Sequence, residues 1–190
     1  VDGSASDIRV PSLSHLMKPV ALEVFMVTDS GVSQSRRKRL VDGLNQNDGF
    51  PQIMGIINVT SDSFFEGSRS LSSEDAIERA LAMWGSGATW VDIGGESTRP
   101  GAAPVDEESE IQRVVPVIKA LRKANPDGLI SIDTRHASVA HEALKAGADM
   151  VNDVSGLRDK AMIDTVLEWE AGICIMHMQG EPGTMQSKPH

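Results

Sequence analysis

The chain has 190 residues, 40% of them hydrophobic, a single cysteine and a formal net charge of −9. With no apolar run long enough to span a bilayer, no signal-peptide pattern and no pair of cysteines for a disulfide framework, it is expected to be a cytoplasmic globular protein. Residues 1–50 carry six acids and six bases and the remainder 21 acids against 12 bases, so bulk electrostatics argue against broad nucleic-acid binding. An anionic substrate has to be held by local donors or a metal.

In chain order, residues 1–50 give a possible strand at 20–27 and a helix at about 35–44, and are otherwise an unassigned N-terminal extension. Within that helix the basic run Arg36-Arg37-Lys38-Arg39 reads as a solvated face ahead of Leu40, Val41 and Leu44. Residues 51–190 read as one domain. Five short runs rich in Ile, Val and Met, at 53–59, 89–94, 129–134, 150–154 and 173–178, read as buried parallel strands. Helical segments separate them, as parallel strands require.

The first crossover opens on Ser72 and Asp75 at capping-box spacing and stops at Gly85 and Gly87. In the second, Asp106, Glu107 and Glu108 face the N-terminus, Lys119, Arg122 and Lys123 the C-terminus, and Pro116 predicts a kink. A third helix, with Val139, Ala140, Ala143 and Leu144, stops at Gly147. A fourth, with Met162, Ile163, Val166 and Leu167, stops near Gly172. Cys174, inside the last apolar run, reads as buried filler.

Each run finishes on a polar group at the same relative place: Asn58, Asp92 with Glu96, Asp133, Asn152 with Asp153, and His177. That is the layout of an active site at the C-terminal ends of strands in a partial TIM (β/α)8 barrel, with about five of eight strands present. A closed barrel typically runs to about 250 residues, whereas this chain opens on Val1 and closes just after its fifth run. The expectation is a fragment with two unpaired sheet edges, prone to aggregation and with little activity alone.

Three stretches carry a sharper signal: Met54-Gly55-Ile56-Ile57-Asn58-Val59-Thr60-Ser61-Asp62-Ser63-Phe64, then Asp92-Ile93-Gly94-Gly95-Glu96-Ser97-Thr98-Arg99-Pro100-Gly101, then Ile132-Asp133-Thr134 followed by Val151-Asn152-Asp153-Val154-Ser155-Gly156. With Met176-His177-Met178-Gln179-Gly180, they resemble the dihydropteroate synthase family in order and spacing, from about residue 53 to 186. The glycine-rich stretch is neither a Walker loop nor a dinucleotide fingerprint.

The resemblance implies a transferase that joins 4-aminobenzoate to a hydroxymethyl-dihydropterin diphosphate, releases pyrophosphate, uses Mg2+ and works as a homodimer, with no nucleic-acid or membrane partner. It places Asp133 and Asn152 on the pterin edge, whose N–H donors and acceptors a carboxylate and a carboxamide read together. Their structural alternatives are a helix cap and a loop tie. Asn58 goes to the diphosphate and the metal, or else caps a strand end. Thr98 and Arg99 lie on a loop that closes with the one carrying Asp62, Phe64 and Glu66. Phe64 and Pro100 wall the aminobenzoate ring, Arg99 touches an anion or pairs with Glu66, Met176 packs on the pterin face, and His177 is scaffold. Ser61, in place of the family's proline, and Glu66, in place of its aspartate, give that loop more freedom to lose on closure. The family's later pterin-binding aspartate and its lysine, arginine and histidine have no counterpart in the chain. A pterin-binding methyltransferase acting on a corrinoid protein is the runner-up and has no use for a diphosphate loop; a non-catalytic pterin-binding paralogue is the third reading.

Overall fold

The computed structural model describes residues 34–45, 51–59, 73–96 and 105–176. Five parallel strands, β1 (Met54–Asn58), β2 (Trp90–Gly94), β3 (Leu129–Asp133), β4 (Met150–Asp153) and β5 (Gly172–Ile175), lie side by side in chain order. Helix α1 (Gln34–Asn45) precedes them, and α2 (Ser73–Gly85), α3 (Glu107–Ala124), α4 (Ala137–Ala146) and α5 (Lys160–Glu168) form the crossovers. The fold is α/β, with strands and helices alternating as a (β/α) barrel requires.

Strand periodicity assigns the two faces of the sheet. On one face Ile57, Val91, Ile93, Ile130, Ile132 and Val151 meet α2 to α5 through Ala76, Ala80, Val114, Ile118, Leu121, Val139, Ala140, Leu144 and Met162, all with at most 2% of their surface exposed. Full burial of each large aliphatic side chain stabilises by about 1.5–3 kcal/mol, so this seam dominates the fold's energetics. The opposite face is layered. Met54, Trp90 and Leu129 share a row at the strands' N-terminal ends, then come Ile56, Asp92, Ser131, Met150 and Gly172, then Asn58, Gly94, Asp133, Asn152 and Cys174 at the C-terminal ends.

The helix ends follow their sequence signals. Asp106 caps α3, accepting from the Ser109 amide at 2.9 Å, and acids fill the first turn while Arg122 and Lys123 fill the last. Pro116 sits inside α3, which continues to Ala124. Gly147 ends α4 at φ 121°, a left-handed conformation that L side chains avoid. The fourth crossover helix ends earlier than expected: Glu168 is its last residue, Glu170 takes φ 49°, and Gly172 opens β5. Ser72 and the possible strand at 20–27 lie outside the described residues.

Three expectations are corrected. The basic run is solvated only in part: Lys38 is exposed and pairs with Asp42, but Arg36 and Arg39 turn inward. Arg36 is 5% exposed and donates to the carbonyls of Ala148 at 2.9 Å, Trp169 at 2.8 Å and Leu144 at 2.6 Å. Helix α1 lies under the N-terminal ends of the strands, where Leu40 packs with Trp90, Leu129 and Met150; the guanidinium serves carbonyls at and just beyond the C-terminal ends of α4 and α5. Burial lowers its pKa to about 10, far above neutrality. Second, the strands are not uniformly buried. β2 is buried throughout and β3 up to Asp133, whereas Ile56 in β1 is 63% exposed. Among the described residues β1 and β5 each have a single neighbouring strand, so each lacks the cover that a second neighbour gives β2, β3 and β4. Third, Cys174 is exposed for the same reason; alternation points it to the open face, and partial burial raises its pKa.

Candidate active site

The upper row of the open face gathers the polar residues that end the strands. Asn58 pairs with Gly94, Gly94 with Asp133, and Asp133 with Asn152. A Cβ placed on Gly94 would lie 3.2 Å from Asn58 Oδ1 and 3.4 Å from Asp133 Oδ2. Gly94 is therefore the gap across which an amide oxygen and a carboxylate oxygen face each other. Asp133 and Asn152 do not take the structural roles open to them: α4 has no side-chain cap from Asp133, its first turn being met by Asp159, and the Asn152 amide bonds to Asp92 at 2.9 Å instead of to a loop.

The polar strand ends are not all at one level. Asp92 stands opposite Ser131, one inward-facing residue deeper than Asp133, and is 1% exposed. Asp153 faces the helices, where it is fully buried and accepts from the amides of Ser155 and Leu157, both at 2.7 Å. A period of two sends adjacent residues to opposite sides, so Asn152 and Asp153 never share a site.

Carboxylates crowd this end of the sheet. Burial, reinforced by Asp92, Glu110, Glu96 and Asp153, pushes Asp133 up to about 7. Glu110, on α3, is 1% exposed with neither oxygen hydrogen-bonded among the described residues, and burial pushes it also to about 7. It reaches beneath the turn after β2, where a Cβ on Gly95 would come 2.7 Å from Glu110 Cγ. Burial raises Asp92 as well, against the neighbouring Ser131 hydroxyl and the bond from Asn152, which favour its charge.

Glu96 anchors the glycine-rich stretch. It receives Arg135 through Nε and Nη2, both at 3.1 Å, and the Val105 amide at 3.2 Å. The start and the return of that stretch are thus fastened to one carboxylate, and Arg113 adds a bond to the Gly95 carbonyl at 2.9 Å. Arg135 and Glu110 escaped the sequence reading because their roles depend on contacts between separate crossovers; the only cue was a charged residue set within an otherwise apolar helix pattern or directly after a strand.

Met176 follows β5, half-buried, with its amide bonded to the Asp153 carbonyl at 3.2 Å. Asp62, Phe64, Glu66, Thr98, Arg99, Pro100 and His177 lie outside the described residues, and so does the expected pairing of Glu66 with Arg99. Among the described residues no helix is long and apolar enough to cross a membrane. Nor do three or more His, Cys, Asp or Glu residues cluster there as a metal site. Mg2+ held mainly by substrate phosphates and water needs only one or two protein oxygens, and the exposed Asn58 Oδ1 fits that requirement.

Parallel β/α units with a polar, carboxylate-rich end at the strands' C-terminal tips are the arrangement on which (β/α) barrels build small-molecule sites. Residues 54–190 match the family model described as pterin binding enzyme, and the chain belongs to that family. The dihydropteroate synthase of Escherichia coli K12 is 43% identical over 152 residues, covering 80% of this chain and 54% of that protein. Among solved structures, the Yersinia pestis dihydropteroate synthase with a sulfonamide drug complex superposes with a TM-score of 0.66 at 45% identity, covering 74% of this chain and 50% of that one. The Burkholderia cenocepacia dihydropteroate synthase complexed with 7,8-dihydropteroate gives a TM-score of 0.60 at 45% identity, covering 73% of this chain and 45% of that one. The chain spans about half the length of these relatives.

Proposed function

We propose that the protein contributes the pterin- and diphosphate-binding half of a dihydropteroate synthase site, which condenses 4-aminobenzoate with 6-hydroxymethyl-7,8-dihydropterin diphosphate. The observation that carries this reading is the row Asn58, Gly94, Asp133 and Asn152 across four adjacent strands; membership of the family supports it. Asp133 accepts N–H bonds from the pterin edge and Asn152 complements it with an amide. Asn58, across the Gly94 gap, lies toward the diphosphate. Asn58, together with substrate oxygens, would hold Mg2+ there, and the ion would supply charge neutralisation for a diphosphate.

The bond from the pterin methylene carbon to the diphosphate oxygen breaks with both electrons going to pyrophosphate. The aminobenzoate nitrogen then bonds to that carbon and loses a proton. No side-chain nucleophile takes part, so the protein acts by positioning and by stabilising charge. Thr98 and Arg99 for the departing anion, Asp62 and Glu66 on the facing loop, Phe64 and Pro100 around the aminobenzoate, and Met176 against the pterin belong to the same proposal. So do a division into residues 1–50 and a pterin-binding domain at 51–190, a homodimer and a cytoplasmic setting.

Incubating the protein, expressed from its full reading frame, with both substrates and Mg2+ is expected to yield dihydropteroate and pyrophosphate in equal amounts. Pyrophosphate release without dihydropteroate would sink the reading. Gly94→Ala tests the geometry. Its methyl enters the gap between Asn58 Oδ1 and Asp133 Oδ2, and a displacement of that kind is expected to slow turnover roughly 10- to 100-fold. Because alanine suits a strand interior better than glycine, the denaturation midpoint should hold. An unchanged rate would show that the two side chains do not act across this gap.

A further inference from the structure

The two groups that face a pterin are unequal in how they are held. A carboxylate such as Asp133 presents acceptors whichever way it turns. The amide of Asn152 does not: rotating it by a half-turn exchanges a donor for an acceptor. Its orientation must be fixed from below if it is to complement one edge of a heterocycle.

Asp92 occupies the position that does this. Its Oδ2 accepts from Asn152 Nδ2 at 2.9 Å, and an ionised carboxylate accepts only. The bond therefore turns Nδ2 down toward β2 and leaves Oδ1 facing elsewhere. Asp92 is 1% exposed, its Oδ1 has no hydrogen-bond partner among the described residues, and the sheet register places it one layer below the row that holds Gly94, Asp133 and Asn152. A side chain so buried is screened from direct contact with ligand by the row above it. Retaining a buried, incompletely bonded carboxylate is costly to the fold, which points to a task other than stability.

We infer that Asp92 is a positioning residue that locks the Asn152 amide in one of its two orientations and so sets the donor and acceptor pattern the site offers to a pterin. The inference rests on the pterin-reading role of Asn152 in the proposed function. With Asp92 in place, Asn152 offers Oδ1 as an acceptor and its second Nδ2 hydrogen as a donor beside the Asp133 carboxylate. An amide at position 92 can bond to either end of Asn152, so the lock is lost while the shape is kept.

The test is a double-mutant cycle in the protein expressed from its full reading frame, with binding of 6-hydroxymethylpterin measured by calorimetry. Asp92→Asn is expected to weaken binding about tenfold or more with Asn152 present and to have almost no effect in an Asn152→Ala background, because a residue acting only through another has nothing left to act on. An Asp92→Asn variant that binds as the parent does, or one that loses the same factor in both backgrounds, overturns the inference. Unaltered binding by Asn152→Ala alone would instead remove the ring-reading role assigned to that residue, and the inference with it. The unsubstituted protein provides a measurement independent of variant folding. One Asn152 Nδ2 proton, assigned by its absence in Asn152→Ala, is expected to be protected from solvent exchange without ligand, whereas rapid exchange of both protons overturns the lock.

Discussion

Asp133→Asn is expected to make the ligand-free protein more stable at pH 8 while weakening its binding of pterin. The folded environment pushes the Asp133 carboxyl up to about 7, chiefly by burial and then by Asp92, Glu110, Glu96 and Asp153. A carboxyl with a raised folded pKa favours folding fully below its ordinary value of 3.8, and that contribution is lost as the pH climbs through about 7. Above neutrality the folded protein carries the whole electrostatic penalty, which asparagine does not. One pKa step corresponds to about 1.36 kcal/mol, so the gain at pH 8 is on the order of 2–4 kcal/mol. Urea midpoints at pH 5 and pH 8 measure it. The parent should lose stability between them, and the variant should lose less; parallel behaviour would contradict the environment assigned to Asp133. Calorimetry should show pterin binding weakened roughly 10- to 100-fold, the size of a lost charge-assisted hydrogen bond. Stability given up to keep a strongly perturbed charge in a polar cluster is characteristic of binding and catalytic sites.

The second large effect lies at the other end of the strands. Asp149 is completely buried and accepts from Arg39 at 2.8 Å, from Arg122 at 2.5 Å and from the Ile130 amide at 3.0 Å. Removing it leaves two largely buried guanidiniums facing each other, a strand amide without its acceptor, and Arg36 without the carboxylate that offsets its burial. Asp149→Ala is expected to cost about 3–5 kcal/mol, as removal of one partner from a buried ion pair does. Chemical denaturation reads this directly. A loss below about 1 kcal/mol, the range of surface pairs, would mean that solvent reaches the cluster. Arg122 also bonds to the Gly147 carbonyl through Nε at 3.0 Å and Nη2 at 2.8 Å, so α3, α4 and β4 should loosen together.

What the residue pattern reveals and what it hides follow from range. Five strands, their order and the row of Asn58, Asp133 and Asn152 are readable because hydrophobic runs, alternation and glycine stops act within a few residues. The caps of α3 and the stop at Gly147 are local in the same way. Depth is less readable: Asp92 and Asp133 both follow an apolar run, and only the strand boundaries and the register between β2 and β3 put one beneath the other. Least readable is Arg36, whose acceptors lie 108 to 133 residues along the chain. A charged residue in a basic run gives no sign that distant carbonyls will bury it. Cys174 illustrates a further gap, since a strand's composition marks it as sheet without saying whether a neighbour will cover its second face.

The separation between Arg36 and its acceptors has a bearing on biosynthesis. Helix α1 is made early, yet the backbone it binds at Leu144, Ala148 and Trp169 is translated more than a hundred residues later. At synthesis rates of about 5–20 residues per second, the helix waits roughly 5–27 s for its docking ground to emerge. For the first part of that interval Leu40 lacks Trp90, and for longer Leu129 and Met150, so the nascent chain presents an adhesive patch beside four basic side chains to whatever surrounds the ribosome.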